Sequence, residues 1–424
     1  MSREDWEYQL DRERLEQQLL LNPEDTDALF DLALLLSTHF GEYDLAASHY
    51  KNIVRLEPDN ASAHCNLARL LDDELEDYQS AKSHYEKALA LDPEDVPTLN
   101  CLAQLLEQRF QEFLLARMYY EKALAINDLS SVAHNNLGML LYNEFLDLEG
   151  ARYHYQRAID LEPDNTNFYN NMALLLHHDL PDYEGARKLY EKALELDPQD
   201  ADIRNSLANL LDSHFGDYDA AEEHYLIAID TTPDDPRCYY DYGVLLHCSI
   251  NDYELARVNY EKALELKPDY TKALLQMGEL LAESTTEYDK AKAYFEKALQ
   301  QDSSCYDAYI GLANLLDDHF EDFDTAVAYY QKAIILDPTD PAAYHHYGIL
   351  LGISLNDYAV SRKYLEQALQ IEPHYAISHF HMAKLLLNHF GEAALAKQHY
   401  EQAISLDTDL ADDDLDKAFD ILPS

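Results

Sequence analysis

Cations are scarce in this chain: 31 lysines and arginines stand against 81 aspartates and glutamates, a formal net charge of −50 over 424 residues. Such a surplus keeps a long protein in solution and repels nucleic acid and anionic membranes, so it favours basic or neutral partners. Glycine and proline are also sparse, 11 and 14 in all, which argues against a linker-rich or disordered chain. The five cysteines, Cys65, Cys101, Cys238, Cys248 and Cys305, form no CxxC pair and no disulfide framework. An odd, scattered set suits a reducing compartment. No uncharged run approaches the roughly 18 apolar residues of a membrane span. The opening MSREDWEYQL has neither the basic nor the apolar region of a signal peptide. The expected location is the cytoplasm, with the nucleus left open.

Catalytic signatures are missing as well, since no HExxH, GxSxG, P-loop or GxGxxG occurs. The 19 histidines include His177-His178, His345-His346 and His379-x-His381. Such neighbours diverge around a helix and give no two-ligand face. The acidic stretch 407–414 lacks the glycine and terminal glutamate of a calcium loop. The sequence therefore predicts a protein without catalytic activity, cofactor or metal.

What is present is a period. A small residue returns every 35 positions, at Ala33, Ala68, Ala103, Gly138, Ala173, Ala208, Gly243, Gly278, Ala313, Gly348 and Ala383. Self-similarity at such an interval marks stacked repeats, and with 47% hydrophobic residues a continuous core is within reach. In the copy from Ser130 to Pro163, a first helix (A) carries His134, Leu137, Gly138 and Leu141 at the spacing of a buried stripe. A short link, 143–146, separates it from a second helix (B), which opens at Asp147 and carries Ala151, Tyr155 and Ala158. Small residues on both helices facing large ones, such as the series Leu36 to Leu386 on A and Tyr50 to Tyr400 on B, are how neighbouring helices interdigitate. Asp25, Asn60, Asp95, Asn165, Asp200, Asp235 and Asp340 sit where helix A needs an N-cap. An acid precedes every helix B, from Glu42 to Glu392, placed to cap it or to complement its dipole.

These marks resemble the tetratricopeptide repeat, whose pattern runs W-x2-L-G-x2-Y, then A-x3-F and a closing P. Leu137, Gly138, Ala151, Tyr155 and Pro163 match it, with equivalents in nearly every copy. The departures are regular. The usual period is about 34, and the extra residue here falls between helices A and B. The tryptophan position holds Leu29, His64, Leu99, His134, Tyr169, Arg204, Tyr239, Leu274, Tyr309, Tyr344 and His379. Proline is missing from the closing slot at Asp128, Ser303 and Thr408. A related repeat of RNA-processing factors shares the phrase AR-x-x-YEKAL at 186–194, but its helix A aromatic signature is lacking. The resemblance implies an all-α fold, a right-handed superhelical solenoid of antiparallel helix pairs. It would comprise an N-terminal capping helix (1–22, with Trp6, Leu10, Leu15 and Leu19 packing inward), about eleven repeats (23–408) and an acidic partial helix (409–424).

In such arrays helix A lines the concave, partner-holding face. With the small residue counted as position 8, position 5 reads Asn100, Asn135, Asn170 and Asn205 in four successive copies. Asn66, Asn136 and Asn171 lie one residue on, and Asn209 a turn later. An amide both donates to and accepts from a peptide backbone, so a ladder of them suits an extended segment. It is similar in kind to the asparagine ladder in the superhelical part of O-linked N-acetylglucosamine transferase. Amides solvated or bonded to the neighbouring helix are the competing reading. Tyr142, His177, His247 and Tyr240 add aromatic or titratable contacts nearby. The function expected is a non-catalytic scaffold for a neutral or basic protein or peptide. A co-chaperone that clamps an acidic C-terminus is the alternative. Its groove cations, Arg69, Arg237, Lys272 and Lys384, are scattered here, and Asp72 and Asp73 stand beside Arg69. A targeting module of a larger enzyme is the third reading.

Overall fold

A computed structural model describes residues 3–419. Every regular element among them is a helix. The chain divides into two compact units, Met1–Leu210 and Leu211–Ser424. The first holds the helix Arg3–Leu21, five complete helix pairs and the α-helix Ala201–Leu210. The second opens on the π-helical turn Leu211–Phe215 and the helix Tyr218–Thr231. It continues with five further pairs and ends in the helix Asp413–Phe419.

Each pair is built on a large side chain of helix B lying over the small residue of helix A. Tyr50, Tyr85, Tyr120, Tyr155, Tyr190, Tyr260, Phe295, Tyr330 and Tyr400 are fully buried, and so are the alanines of the small-residue series. The contact is tightest where the small residue is glycine. A methyl group on Gly138 would fall 2.9 Å from Tyr155 Cδ1, and one on Gly243 2.6 Å from Tyr260 Cε1. Each buried ring removes roughly 150–250 Å² from water, which sets an upper bound of about 4–6 kcal/mol on its stabilisation.

The extra residue of the period is absorbed at the end of helix A. Of the link expected at 143–146, all but Leu146 is helical, and helix A runs Ser131–Phe145. The carbonyl of Leu141 then accepts from both Leu146 N and Asp147 N. The same double acceptance occurs at Leu36, Leu246 and Leu386, where the last turn widens into the π-helical segments Leu36–Phe40, Leu245–Ile250 and Leu386–Phe390. A π turn holds one residue more than an α turn, so the surplus fits without lengthening the link. In nine of the eleven copies the chain reverses through a left-handed residue, which is glycine at Gly41, Gly216 and Gly391 and Glu76, Gln111, Leu146, Asn251, Glu321 or Asn356 in the others; Pro181 and Thr286 hold the slot in the remaining two.

The acid before helix B divides by length. All seven aspartates, Asp77, Asp147, Asp182, Asp217, Asp252, Asp322 and Asp357, accept a backbone N–H of the first turn. The four glutamates make no such cap. One methylene longer, each reaches instead a cation 30 residues earlier: Arg12–Glu42 (2.6 Å), Lys82–Glu112 (2.7 Å), Arg257–Glu287 (3.4 Å) and Arg362–Glu392 (2.8 Å). Arg12 lies on the helix Arg3–Leu21, which thus plays the part of a helix B. Its Tyr8 stacks on His39 and its Leu15 is buried. Trp6 and Leu10, expected to pack inward, are 58% and 44% exposed. Each stands two residues from Tyr8, about 200° round the helix.

The family's tryptophan is replaced by a polar side chain in eight copies, and all eight do one job. His64, His134, Tyr169, Arg204, Tyr239, Tyr309, Tyr344 and His379 each bond the backbone carbonyl six residues earlier, at the closing slot of the preceding loop. They satisfy carbonyls left over beyond a helix end. Where the residue is histidine, its other ring nitrogen meets a second histidine on helix B. His64–His84, His134–His154 and His379–His399 have Nδ1···Nδ1 separations of 2.8 Å. The carbonyl only accepts, so Nε2 of His134 carries that ring's proton and Nδ1–H of His154 donates to it. At the other end of the chain, Asp412 caps the last helix, and Leu415 and Phe419 are buried against Tyr400 and Leu386. The part of the expected C-terminal helix beyond Phe419 lies outside the described residues.

Two outcomes follow. Leu146 holds φ 50° while 75% exposed, a conformation unfavourable for a side-chain-bearing residue. Leu146→Gly should raise stability by about 0.5–1 kcal/mol despite the entropy glycine adds to the unfolded chain; a urea midpoint that falls would contradict this. Burial holds His134 below the usual imidazole value of 6.5 and, with His134 beside it, pushes His154 down to about 4. The folded state therefore binds fewer protons than the unfolded one, and this stability is lost as the pH falls from 6.5 towards 4. Replacing the pair by the tyrosine and leucine of the next copy (His134→Tyr with His154→Leu) should flatten that loss in unfolding curves recorded across the interval.

Candidate functional site

Position 5 of helix A shares a face with positions 9 and 12, away from the stripe that packs on helix B. In the first unit this places Asn135, Met139 and Tyr142 in one row, and Asn135 Nδ2 lies 3.5 Å from Met139 Sδ. The amides also bond between neighbouring copies. Asn136 Nδ2 donates to Asn100 Oδ1 (3.3 Å) and Asn171 Nδ2 to Asn135 Oδ1 (2.8 Å). Position 5 of one copy is thus tied to position 6 of the next, and three successive helices A are knitted together.

The series breaks at Asn170. Its counterpart in the next copy is Ser206, which makes no such bond. Asn170 Oδ1 is buried and accepts no hydrogen bond among the described residues. Asn205 is half-buried and Asn209 exposed. Asn66 donates to the carbonyl of Ser62 and accepts from Arg69, both within its own helix.

The aromatic candidates are placed differently from one another. Tyr142 donates to Asp179 of the following copy (2.5 Å), and burial with that bond raises its hydroxyl to about 12. His177, expected to offer a titratable contact, is only 6% exposed, stacked on His178 with the edge of Tyr190 against it. Tyr240 belongs to the second unit, where its ring packs on Tyr260 and Tyr270. His247 is buried in the same unit with its Nε2 3.4 Å from Glu283.

Reading by composition missed a cavity of about 350 Å³ in the second unit, between the helices Thr271–Ser284 and Tyr306–Asp318 and over Phe295. Its signals were in the sequence: a phenylalanine within a tyrosine series, and a glycine, Gly311, at position 6. Among the described residues no group of three or more His, Cys, Asp or Glu could hold a metal ion, and no helix is long and apolar enough to cross a membrane.

Comparison with known proteins agrees with this architecture. Models described as tetratricopeptide repeat match residues 172–236, 215–271 and 280–341, and also 61–95 and 341–375. One described as TPR repeat matches 147–179. No curated protein matches the sequence. Among solved structures, the Cut9–Hcn1 hetero-tetramer of the APC/C is 16% identical, covers 99% of this chain and 96% of its own, and gives a TM-score of 0.53. A monomeric IFIT1 mutant solved with Gppp-AAAA is 17% identical over 95% of each chain, with a TM-score of 0.50. Yeast Tom70 is 18% identical over 93% of this chain and 94% of its own, at 0.47. With the small-on-large helix contact, the regular caps and the matches to the repeat models in hand, the chain belongs to the tetratricopeptide repeat family.

Proposed function

We propose that the chain is a non-catalytic scaffold that holds a protein or an extended peptide on the helix A surface of its first unit. One observation carries the reading. Beyond the two bonded amide pairs, Asn170 keeps a buried carbonyl with no donor among the described residues, with the half-buried Asn205 and the exposed Asn209 in the following copy. A buried acceptor without a partner is costly and rare, and a small turn of this amide would present it to a backbone N–H of a bound segment. The paired amides of Asn100 and Asn135 have a structural task first. They fix the register of neighbouring helices through the bonds Asn136–Asn100 and Asn171–Asn135. The acidic surplus favours a neutral or basic segment.

The two roles separate by mutation. Asn171→Ala strands the carbonyl of Asn135 and should cost about 1 kcal/mol of stability, whereas Asn170→Ala removes an unpaired group and should cost nothing or stabilise. Equal losses in denaturant melts would put Asn170 among the structural amides. For binding, extended peptides selected on the full chain should lose about tenfold in affinity when Asn135, Asn170 and Asn205 are replaced together by alanine. Unaltered affinity would remove this surface from the proposal.

A further inference from the structure

In the second unit, the side chain at the ring slot of helix B carries more than packing. Tyr330 donates its hydroxyl to Asn314, 16 residues earlier; Tyr260 lies 3.5 Å from His247, 13 earlier, and from Gln276, 16 later; Tyr400 donates to Asp416, 16 later. These offsets define three places where such a hydroxyl finds a partner. Around Phe295 the same offsets fall on Glu279, Ala282 and Gly311. The ring has no hydroxyl to send, and two of the three partners have no side chain of useful length. A methyl group on Gly311 would meet Phe295 Cζ at 2.6 Å, so the glycine lets the ring lie directly beneath the helix. The cavity left above it has Phe295 and Ile310 as its apolar floor.

Its walls carry one sign of charge. Glu279, Glu283, Asp307 and Asp318 line it, and neither lysine nor arginine does. Gln276 donates to Glu279 (2.7 Å) and His247 approaches Glu283, so neither neighbour supplies a fixed cation. Burial, with Asp307 and Glu283 nearby, raises Glu279 to about 7, the mark of a carboxylate with no counter-charge. His319 at the rim is stacked on Tyr288.

We infer that this cavity receives an arginine side chain of a partner segment, its methylenes along Ile310 and its guanidinium between Glu279 and the other lining carboxylates. Arginine suits the site better than lysine because a planar, weakly hydrated fork bonds several carboxylates at once. The inference rests on the reading of helix A faces as partner-holding surfaces, yet uses none of the amides of the first unit.

The test is a titration of the full chain, at low ionic strength, with a capped pentapeptide of glycines around one central arginine, alongside its norleucine and glutamate counterparts. Chemical-shift changes in residues around Gly311 report binding. The arginine peptide alone should bind, and Glu279→Gln should weaken it about tenfold. Phe295→Tyr, a residue the slot already accepts in other copies, should weaken it comparably by returning a hydroxyl to the space. The Asn135/Asn170/Asn205 triple variant should bind it unchanged, so failure of the amide surface and failure of this cavity are told apart. No binding to the unmodified chain, equal binding of the norleucine peptide, or full affinity in both cavity variants would overturn the inference. So would calcium chloride that displaces the peptide at constant ionic strength and itself shifts the same residues, which would make the cavity a divalent-cation site.

Discussion

A large side chain of one helix lying on an alanine or glycine of the helix before it sets the geometry of everything else. That contact fixes how closely helices A and B approach, and so which positions of helix A can reach the next copy. It also sends a phenolic hydroxyl from the middle of the core towards the helix A surface. Burial raises the hydroxyls of Tyr85, Tyr120, Tyr155, Tyr260 and Tyr330 beyond ordinary titration. They act only as neutral donors or acceptors, and Asn314 and Glu107 are placed to accept from them. A core residue thereby dictates the polar lining of the exposed face, and the one phenylalanine in the series leaves that lining incomplete.

The constancy of the period has a local cause. An unpaired backbone group buried at a helix end is expensive, and at Leu36, Leu141, Leu246 and Leu386 the carbonyl closing helix A meets this by accepting twice. A one-residue deletion would remove the left-handed turn that delivers the second N–H. A copy without the left-handed residue makes the same point. In the copy ending at Ser284, Thr285 Oγ1 bonds the carbonyl of Leu281 and in turn accepts from Glu287 N. A side chain supplies there what the backbone supplies elsewhere.

Much of this was legible in the sequence because it depends on residue type at fixed spacing. The seven predicted caps of helix A all accept a backbone N–H. The division of labour between aspartate and glutamate was present but unread, since capping and pairing differ by one methylene and pairing needs a partner 30 residues away. The amides were legible as a row, but not in their mutual bonding. Position 5 meets position 6 of the next copy only once the helices are in register, and neither position alone reveals it. Trp6 and Leu10 were misplaced because composition marks them apolar, while the angle of their helix is set by Tyr8 on His39 and Arg12 on Glu42.

The scarcity of cations acquires meaning from where they are used. Arg12, Lys82 and Arg362 each pair with a glutamate of the next copy and lie over a phenylalanine of the same copy, Phe40, Phe110 and Phe390. An exposed ion pair alone contributes less than about 1 kcal/mol, and a ring face beneath the cation adds a comparable amount. Basic residues committed to holding copies together are not available to neutralise acids on helix A. The two proposed surfaces accordingly differ in chemistry: neutral amides recur at position 5 of helix A in the first unit, and carboxylates line the cavity beside Phe295 in the second. If the two proposals hold, a partner of the first surface needs only a free backbone and one of the second a positive side chain, so that selectivity would come from the second.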